Sequence, residues 1–176
     1  MSPWFRAVRT AVYGSAFLFL WGWLALQSRP FDRALGGALP EGVRTAGLPL
    51  MVVGAVLAFA CAALFVARGR GTPAPFDPPR EFVATGPYRW VRNPMYVGGL
   101  SLLAGFSLWH RSLAMLLFTG LVWGLVHLFV VWVEEPGLER RFGEGYRRYR
   151  RTVRRWWPRR PRPNIRTNPP QRRAPG

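Results

Sequence analysis

The sequence contains no lysine. All 25 basic residues are arginine, a bias that carries no chemistry by itself. Cysteine occurs once, at Cys61. It has no intrachain partner, which excludes a disulfide framework and a cysteine-based zinc site and leaves the redox compartment open. It lies inside an apolar run and reads as a small packing residue. Histidine occurs twice and acidic residues only eight times, so the formal net charge reaches +17. No metal site is expected. No internal repeat is visible. The first apolar run follows Arg6 and Arg9, as in a signal peptide, but it is long, carries Trp21 and Trp23, and precedes no small-x-small cleavage site. A retained span is expected.

What is present is apolar: 49% of the residues are hydrophobic. A soluble globule does not combine that fraction with such a charge, but the two are segregated along this chain. Apolar segments cover residues 8–26, 48–67, 94–109 and 113–133. A helix needs roughly 20 residues to cross a hydrocarbon core, which the first, second and fourth segments approach or reach. The third is short, a full span only if Arg111 snorkels outward, and otherwise a half-depth hairpin arm. Backbone polar groups in lipid must be satisfied internally, so all four read as helices. Gly47, Gly54 and Ala58 recur on one side of the second, and Gly98, Gly99 and Gly105 lighten the third, as in close helix packing. His110 and Arg111 make the turn between the third and fourth.

Arginine placement sets orientation. Two arginines precede the first span, five lie in the connection 68–92, and fourteen follow the fourth span. Both termini and that connection are therefore expected in the cytoplasm. After the fourth span, Leu138, Phe142, Tyr146 and Tyr149 share roughly one helical face and the arginines lie mostly elsewhere, which predicts an amphipathic helix at the membrane interface. The residues from 159 onward are Arg- and Pro-rich and read as disordered. The expected architecture is all-α: a polytopic membrane bundle of about four transmembrane helices with a C-terminal interfacial helix, one domain over 1–158 and a tail over 159–176.

Two patches carry chemistry, and this topology brings them to one membrane face. The first runs Gly86-Pro87-Tyr88-Arg89-Trp90-Val91-Arg92-Asn93-Pro94-Met95-Tyr96-Val97-Gly98-Gly99. Pro94 suits the opening turn of a helix, and Asn93 before it suits the cap. A helix N-terminus leaves backbone donors free for a polar ligand. Gly98 and Gly99 allow a flat group close to the backbone. Tyr88 and Tyr96 offer ring faces to an adenine or a sulfonium. Arg89 and Arg92 suit a carboxylate or phosphate. The second patch is Glu134-Glu135-Pro136-Gly137-Leu138, followed by Phe142-Gly143 and Tyr146-x-x-Tyr149. Adjacent carboxylates at the negative end of a membrane helix are unfavourably placed, and such residues mark a site whose partner is cationic. Ion pairing with Arg92, Arg140 or Arg141 is the structural alternative. His127 lies two turns before Glu134, about 10 Å along the axis. It reads either as a group that orients substrate or accepts a proton, or as a packed polar residue.

Together these blocks resemble the isoprenylcysteine carboxyl methyltransferases and phospholipid methyltransferases. Gly86-Pro87-Tyr88-Arg89 through Arg92-Asn93-Pro94-x-Tyr96-x-Gly98 is similar to the first block of that family, and Glu134-Glu135-x-x-Leu138-x-x-x-Phe142-Gly143-x-x-Tyr146-x-x-Tyr149 to its second, with the resemblance covering residues 79–158. It implies a helical membrane enzyme whose cytoplasmic-side pocket holds S-adenosylmethionine, with a lipophilic acceptor arriving from the bilayer. Carried over, Tyr88, Asn93, Pro94, Tyr96 and Gly98 would line the cofactor, and Glu134 and Glu135 would bind its polar groups. Arg92, Asn93 and His127 are the catalytic candidates. Two positions depart from the pattern. Asn93 stands where the family often has a titratable histidine, and Val153-Arg154-Arg155 stands for its closing Val-Pro-Arg.

The reaction implied is in-line displacement at the activated methyl, catalysed by alignment and exclusion of water. Asn93 favours an acceptor that needs no base, such as a carboxylate. A phosphatidylethanolamine-type amine is the alternative and must first lose a proton. Membrane lipids are the expected surroundings, and no nucleic-acid partner is expected. Two rival classes differ in visible ways. A sterol-type reductase would carry a longer chain and a Lys-Tyr-Gly-x-x-Trp-like ending, against Arg141-Phe142-Gly143-x-x-Tyr146 here. A non-enzymatic membrane protein would depend on its basic tail binding polyanions with strong salt dependence.

Overall fold

The computed structural model describes residues 3–64, 67 and 84–158. Most of the connection 68–92 and the tail 159–176, about which the sequence makes expectations, lie outside the described residues. Those described form helices and turns without a sheet. A single parallel bridge joins Val91 to Arg154.

Helix α1 spans Pro3–Ser28, α2 Arg44–Leu64, α3 Pro94–Trp109, α4 Leu113–Phe129 and α5 Glu135–Thr152. Short 3-10 turns at Arg29–Arg33, Glu41–Val43 and Gly86–Arg89 shape the connections. Among the described residues two helical stretches combine the length and apolarity needed to cross a membrane, Glu41–Leu64 and Leu113–Thr152. This replaces the expected four. With 16 residues, α3 is about 24 Å long, short of the roughly 30 Å hydrocarbon core. The 26-residue α1 is long enough but is the least apolar of α1 to α4, because Arg, Thr, Gly and Ser interrupt its first half. The outward apolar side chains, including Phe59, Val53, Leu121 and Trp132, are well exposed. A surface of that kind suits lipid.

Close approach fixes α2 against α3. A Cβ on Gly54 would stand 2.6 Å from the Gly98 carbonyl oxygen and 2.6 Å from the Leu102 nitrogen. One on Gly98 would stand 2.7 Å from the Ala58 nitrogen, and one on Gly105 2.6 Å from the Gly47 carbonyl. The small residues expected at a helix interface are there, with backbones in direct contact. Gly99 alone of that set faces open space. Elsewhere Ala25, Leu103, Met115 and Val122 form a core shared by α1, α3 and α4. Buried hydroxyls beside it are paired: Ser107 Oγ donates to Leu103 O at 2.8 Å and meets Thr119 Oγ1 at 3.2 Å.

The two ends of the bundle are chemically distinct. At one end Arg111, which holds a positive φ of 56° in the α3–α4 turn, donates from Nε to Leu39 O at 2.8 Å and pairs with Glu41. Asp32 accepts from the Ala114 amide at 2.8 Å, capping α4 together with Ser112. At the other end lie both sequence patches.

α4 does not stop before the glutamates. A π-helical turn at Val130–Glu134 carries it into α5. Pro136 lacks an N–H to continue an α-helical ladder, and a widened turn accommodates that gap. Glu134 and Glu135 therefore sit mid-helix and not at a helix C-terminus, as the dipole argument had assumed. α5 breaks instead at Gly143, with φ 54° and ψ −130°. Its apolar face is also covered by protein: Tyr146 and Tyr149 are buried against Ala84 and Val153, with Leu138 and Phe142 alongside. The helix is amphipathic as expected, and that face docks on the molecule itself.

Candidate active site

The turn Gly86–Arg89, the first turn of α3, the π turn and the segment after α5 converge. Tyr88 is buried beside Cys61, with Met95 and Leu57 packed around them. Burial pushes its phenol well above the usual value, and its carbonyl accepts from the Tyr149 hydroxyl at 2.6 Å. Its ring is thus committed to the interior.

Pro94 opens α3 as expected and is fully buried. Asn93 occupies the cap position, but its side chain does not cap. Its amide donates instead to Arg155 O at 3.4 Å, so the backbone N–H groups of the first turn keep no side-chain acceptor among the described residues. Tyr96 donates its hydroxyl to Glu134 Oε2 at 2.9 Å. Gly98 does not face this space. Its open side is filled by the α2 backbone, so the structure gives it a packing contact where a ligand contact was expected.

The two adjacent glutamates differ. Glu135 is only 5% exposed. Arg155 grips it with Nε to Oε1 at 2.8 Å and Nη2 to Oε2 at 2.9 Å, and Arg92 Nη1 lies 3.1 Å from Oε1. The hydrogen bonds to Glu135 raise the Arg155 guanidinium further above its ordinary value. Glu134, half-buried, meets only the Tyr96 hydroxyl among its hydrogen-bond contacts in the described residues. The Arg92 side chain is 10% exposed. Among the described residues its Nε has no hydrogen-bond partner, and its Nη1 contact with Glu135 is charge pairing outside hydrogen-bond geometry. An orphan buried guanidinium N–H is costly and suits a carboxylate or phosphate oxygen. His127 accepts at Nδ1 from the Trp156 indole N–H at 2.9 Å.

The segment after α5 was undervalued by sequence reasoning. Ion-pair partners for the glutamates were sought at Arg92, Arg140 and Arg141, and only Arg92 is one. The main partner is Arg155. Its residues pair as Arg92 N–H to Arg154 O at 2.8 Å, Asn93 to Arg155, Arg155 to Glu135 and Trp156 to His127. The signal was available in Val153-Arg154-Arg155, the closing motif of the resemblance.

A family model for phospholipid methyltransferases matches residues 43–145. That range is more than half of the chain and includes the first patch and the second as far as Gly143. The chain belongs to this family. It is an S-adenosylmethionine-dependent methyltransferase with apolar helices of membrane length. No curated protein and no solved structure matches it. The cluster fits the methyltransferase's cofactor chemically. Glu134 is a carboxylate not paired with any guanidinium in the described residues, Arg92 Nε is a buried donor without an acceptor, and the first turn of α3 supplies uncapped N–H groups. These complement an ammonium, a carboxylate and hydroxyl groups.

Proposed function

We propose that this methyltransferase transfers a methyl group to the amine of a phosphatidylethanolamine-type lipid at the cytoplasmic face of the membrane, through one domain spanning 1–158. The observation that carries this reading is the family match over 43–145. It moves the preferred acceptor from the carboxylate favoured by Asn93 to an amine. Apolar exposed helices support an acceptor that reaches the site from lipid.

Bound S-adenosylmethionine would supply a methyl group on a positive sulfur. Arg92 and the first-turn amides of α3 would hold its carboxylate, with Asn93 and Pro94 shaping that turn. Glu134, kept in place by Tyr96, would face positive charge. Glu135 would act chiefly by fixing Arg92 and Arg155, since both guanidiniums already meet it. An ammonium acceptor must shed a proton before its lone pair can attack. Glu134 would take it, a reading supported by the engagement of His127 Nδ1 by Trp156. Loss of the methyl group to nitrogen would leave the sulfur neutral. No general acid is needed at the leaving group. Alignment and exclusion of water carry the rest.

The test incubates the purified protein in lipid bilayers with methyl-labelled cofactor and phosphatidylethanolamine. Label that enters the phospholipid and survives base treatment as a non-volatile N-methyl headgroup is expected. Label released by base as methanol would identify a methyl ester and overturn the amine assignment.

A further inference from the structure

A cleft of about 390 Å³ lies beside the site, walled by Leu57 of α2, Pro87, Val91, Pro94 and Val97, and by Trp156 after α5. Its size falls within the range of small-molecule pockets, and its lining is hydrocarbon and aromatic. Val91 and Pro94 flank Arg92 and Asn93, and Val97 follows Tyr96, whose hydroxyl meets Glu134. The cleft is therefore bordered by the segment that carries Arg92, Asn93 and Tyr96.

Trp156 is not a loose wall. Its indole N–H donates to His127 Nδ1 at 2.9 Å, and the Trp123 ring packs edge-on with centroids 6.4 Å apart. The residue before it is clamped to Glu135 through two hydrogen bonds. A half-buried indole needs an acceptor for its N–H, and His127 supplies one from α4. The imidazole thus fixes how far the indole extends into the cleft.

We propose that Trp156 is a specificity-determining residue that limits an acyl-chain cleft beside the methyl-transfer site, and that His127 is the positioning residue that holds it. The acyl chain is that of the phospholipid acceptor, so the inference rests on the reading above. His127, an acid–base candidate in the sequence, then acts through Trp156.

The full chain in nanodiscs would be assayed with phosphatidylethanolamines that differ only in acyl length. Trp156→Ala is expected to change the ratio of kcat/KM between the longest and shortest chains by about tenfold, the scale on which pockets discriminate methylenes, with the cofactor KM moving far less. His127→Ala is expected to shift the profile in the same direction. His127→Gln, which keeps an acceptor for the indole, is expected to restore much of it. Equal losses at every chain length would reduce both residues to a structural role and overturn the proposal. A second measurement needs neither a folded variant nor turnover. Phosphatidylethanolamine with a diazirine in its acyl chain is expected to label Leu57, Val97 or Trp156 of the wild-type chain. Label confined to outward residues such as Phe59 and Trp132 would overturn the cleft. Cleft labelling without methylated lipid would overturn the acceptor assignment alone.

Discussion

Glu134 and Glu135 are neighbours with different tasks, and their partners make the difference measurable. Removing the charge of Glu135 would leave two guanidiniums facing each other in a buried site. Breaking a buried pair by losing one partner costs about 3 kcal/mol or more, so Glu135→Gln is expected to lower the thermal unfolding midpoint sharply in detergent, with or without cofactor. Tyr96→Phe removes only one hydrogen bond to a carboxylate, worth about 1.5–3 kcal/mol. Its expected effect is a rise of about tenfold in the cofactor or acceptor KM, with a fall in the unfolding midpoint clearly smaller than that of Glu135→Gln. If Tyr96→Phe unfolds the protein as readily as Glu135→Gln, the division of labour is wrong. At the opposite end, burial first, and then Arg29 and Arg44, lower His110 below its usual 6.5. Its folded form stays neutral where the unfolded chain already binds a proton. Its contribution to stability is therefore full above pH 6.5 and is lost as pH falls below that value towards the lowered one. Melting curves across that window are expected to slope less in His110→Gln.

At the scale of elements, the α2–α3 pair is the rigid frame on which the site is mounted. The face of α3 opposite Gly54 admits no added carbon. Gly54→Ala is expected to force the helices apart and cost about 1–3 kcal/mol, the usual penalty for overpacking. Gly120 on α4 meets nothing within 4 Å. Gly120→Ala is expected to leave stability unchanged or raise it by up to about 1 kcal/mol through helix propensity. Thermal unfolding in detergent compares the two, and equal losses would refute the packing assignment. The long helix through α4 and α5 is the other structural device. The π turn before Pro136 lets one continuous helix aim Glu134 at Tyr96 and Glu135 at the two arginines, from successive positions.

For the whole molecule, the bundle separates its two ends. The first connection and the α3–α4 turn meet at one, joined through Arg111 and Asp32. The glutamates, the α3 N-terminus and the closing segment meet at the other. Arginine bias predicts that the second end is cytoplasmic. Cys61 is buried, so a single introduced thiol can report sidedness over a low background. An impermeant maleimide is expected to label Gly36→Cys in intact cells and Trp157→Cys only after permeabilisation. The reverse pattern would invert the topology.

Apolar runs and their glycines were sufficient, as sequence, to place α3 to the residue, to assign the turn at His110 and Arg111, and to pick the small faces of α2 and α3. Helical periodicity and steric demand are local, and both can be read along a chain. The two motif blocks, expected at one face, do come together, since Tyr96 and Glu134 meet. Three outcomes needed the tertiary structure. Gly98 turned out to pack against α2, because the partner of an open backbone is set by which helix lies opposite. Asn93 gave up its capping bond for Arg155, and Glu135 took Arg155 as its main partner, across separations of 62 and 20 residues. Pairing at such distances follows from where the chain returns, and no spacing rule records it. The path of the closing segment over the site, which also brings Trp156 to His127, was therefore decided by packing alone.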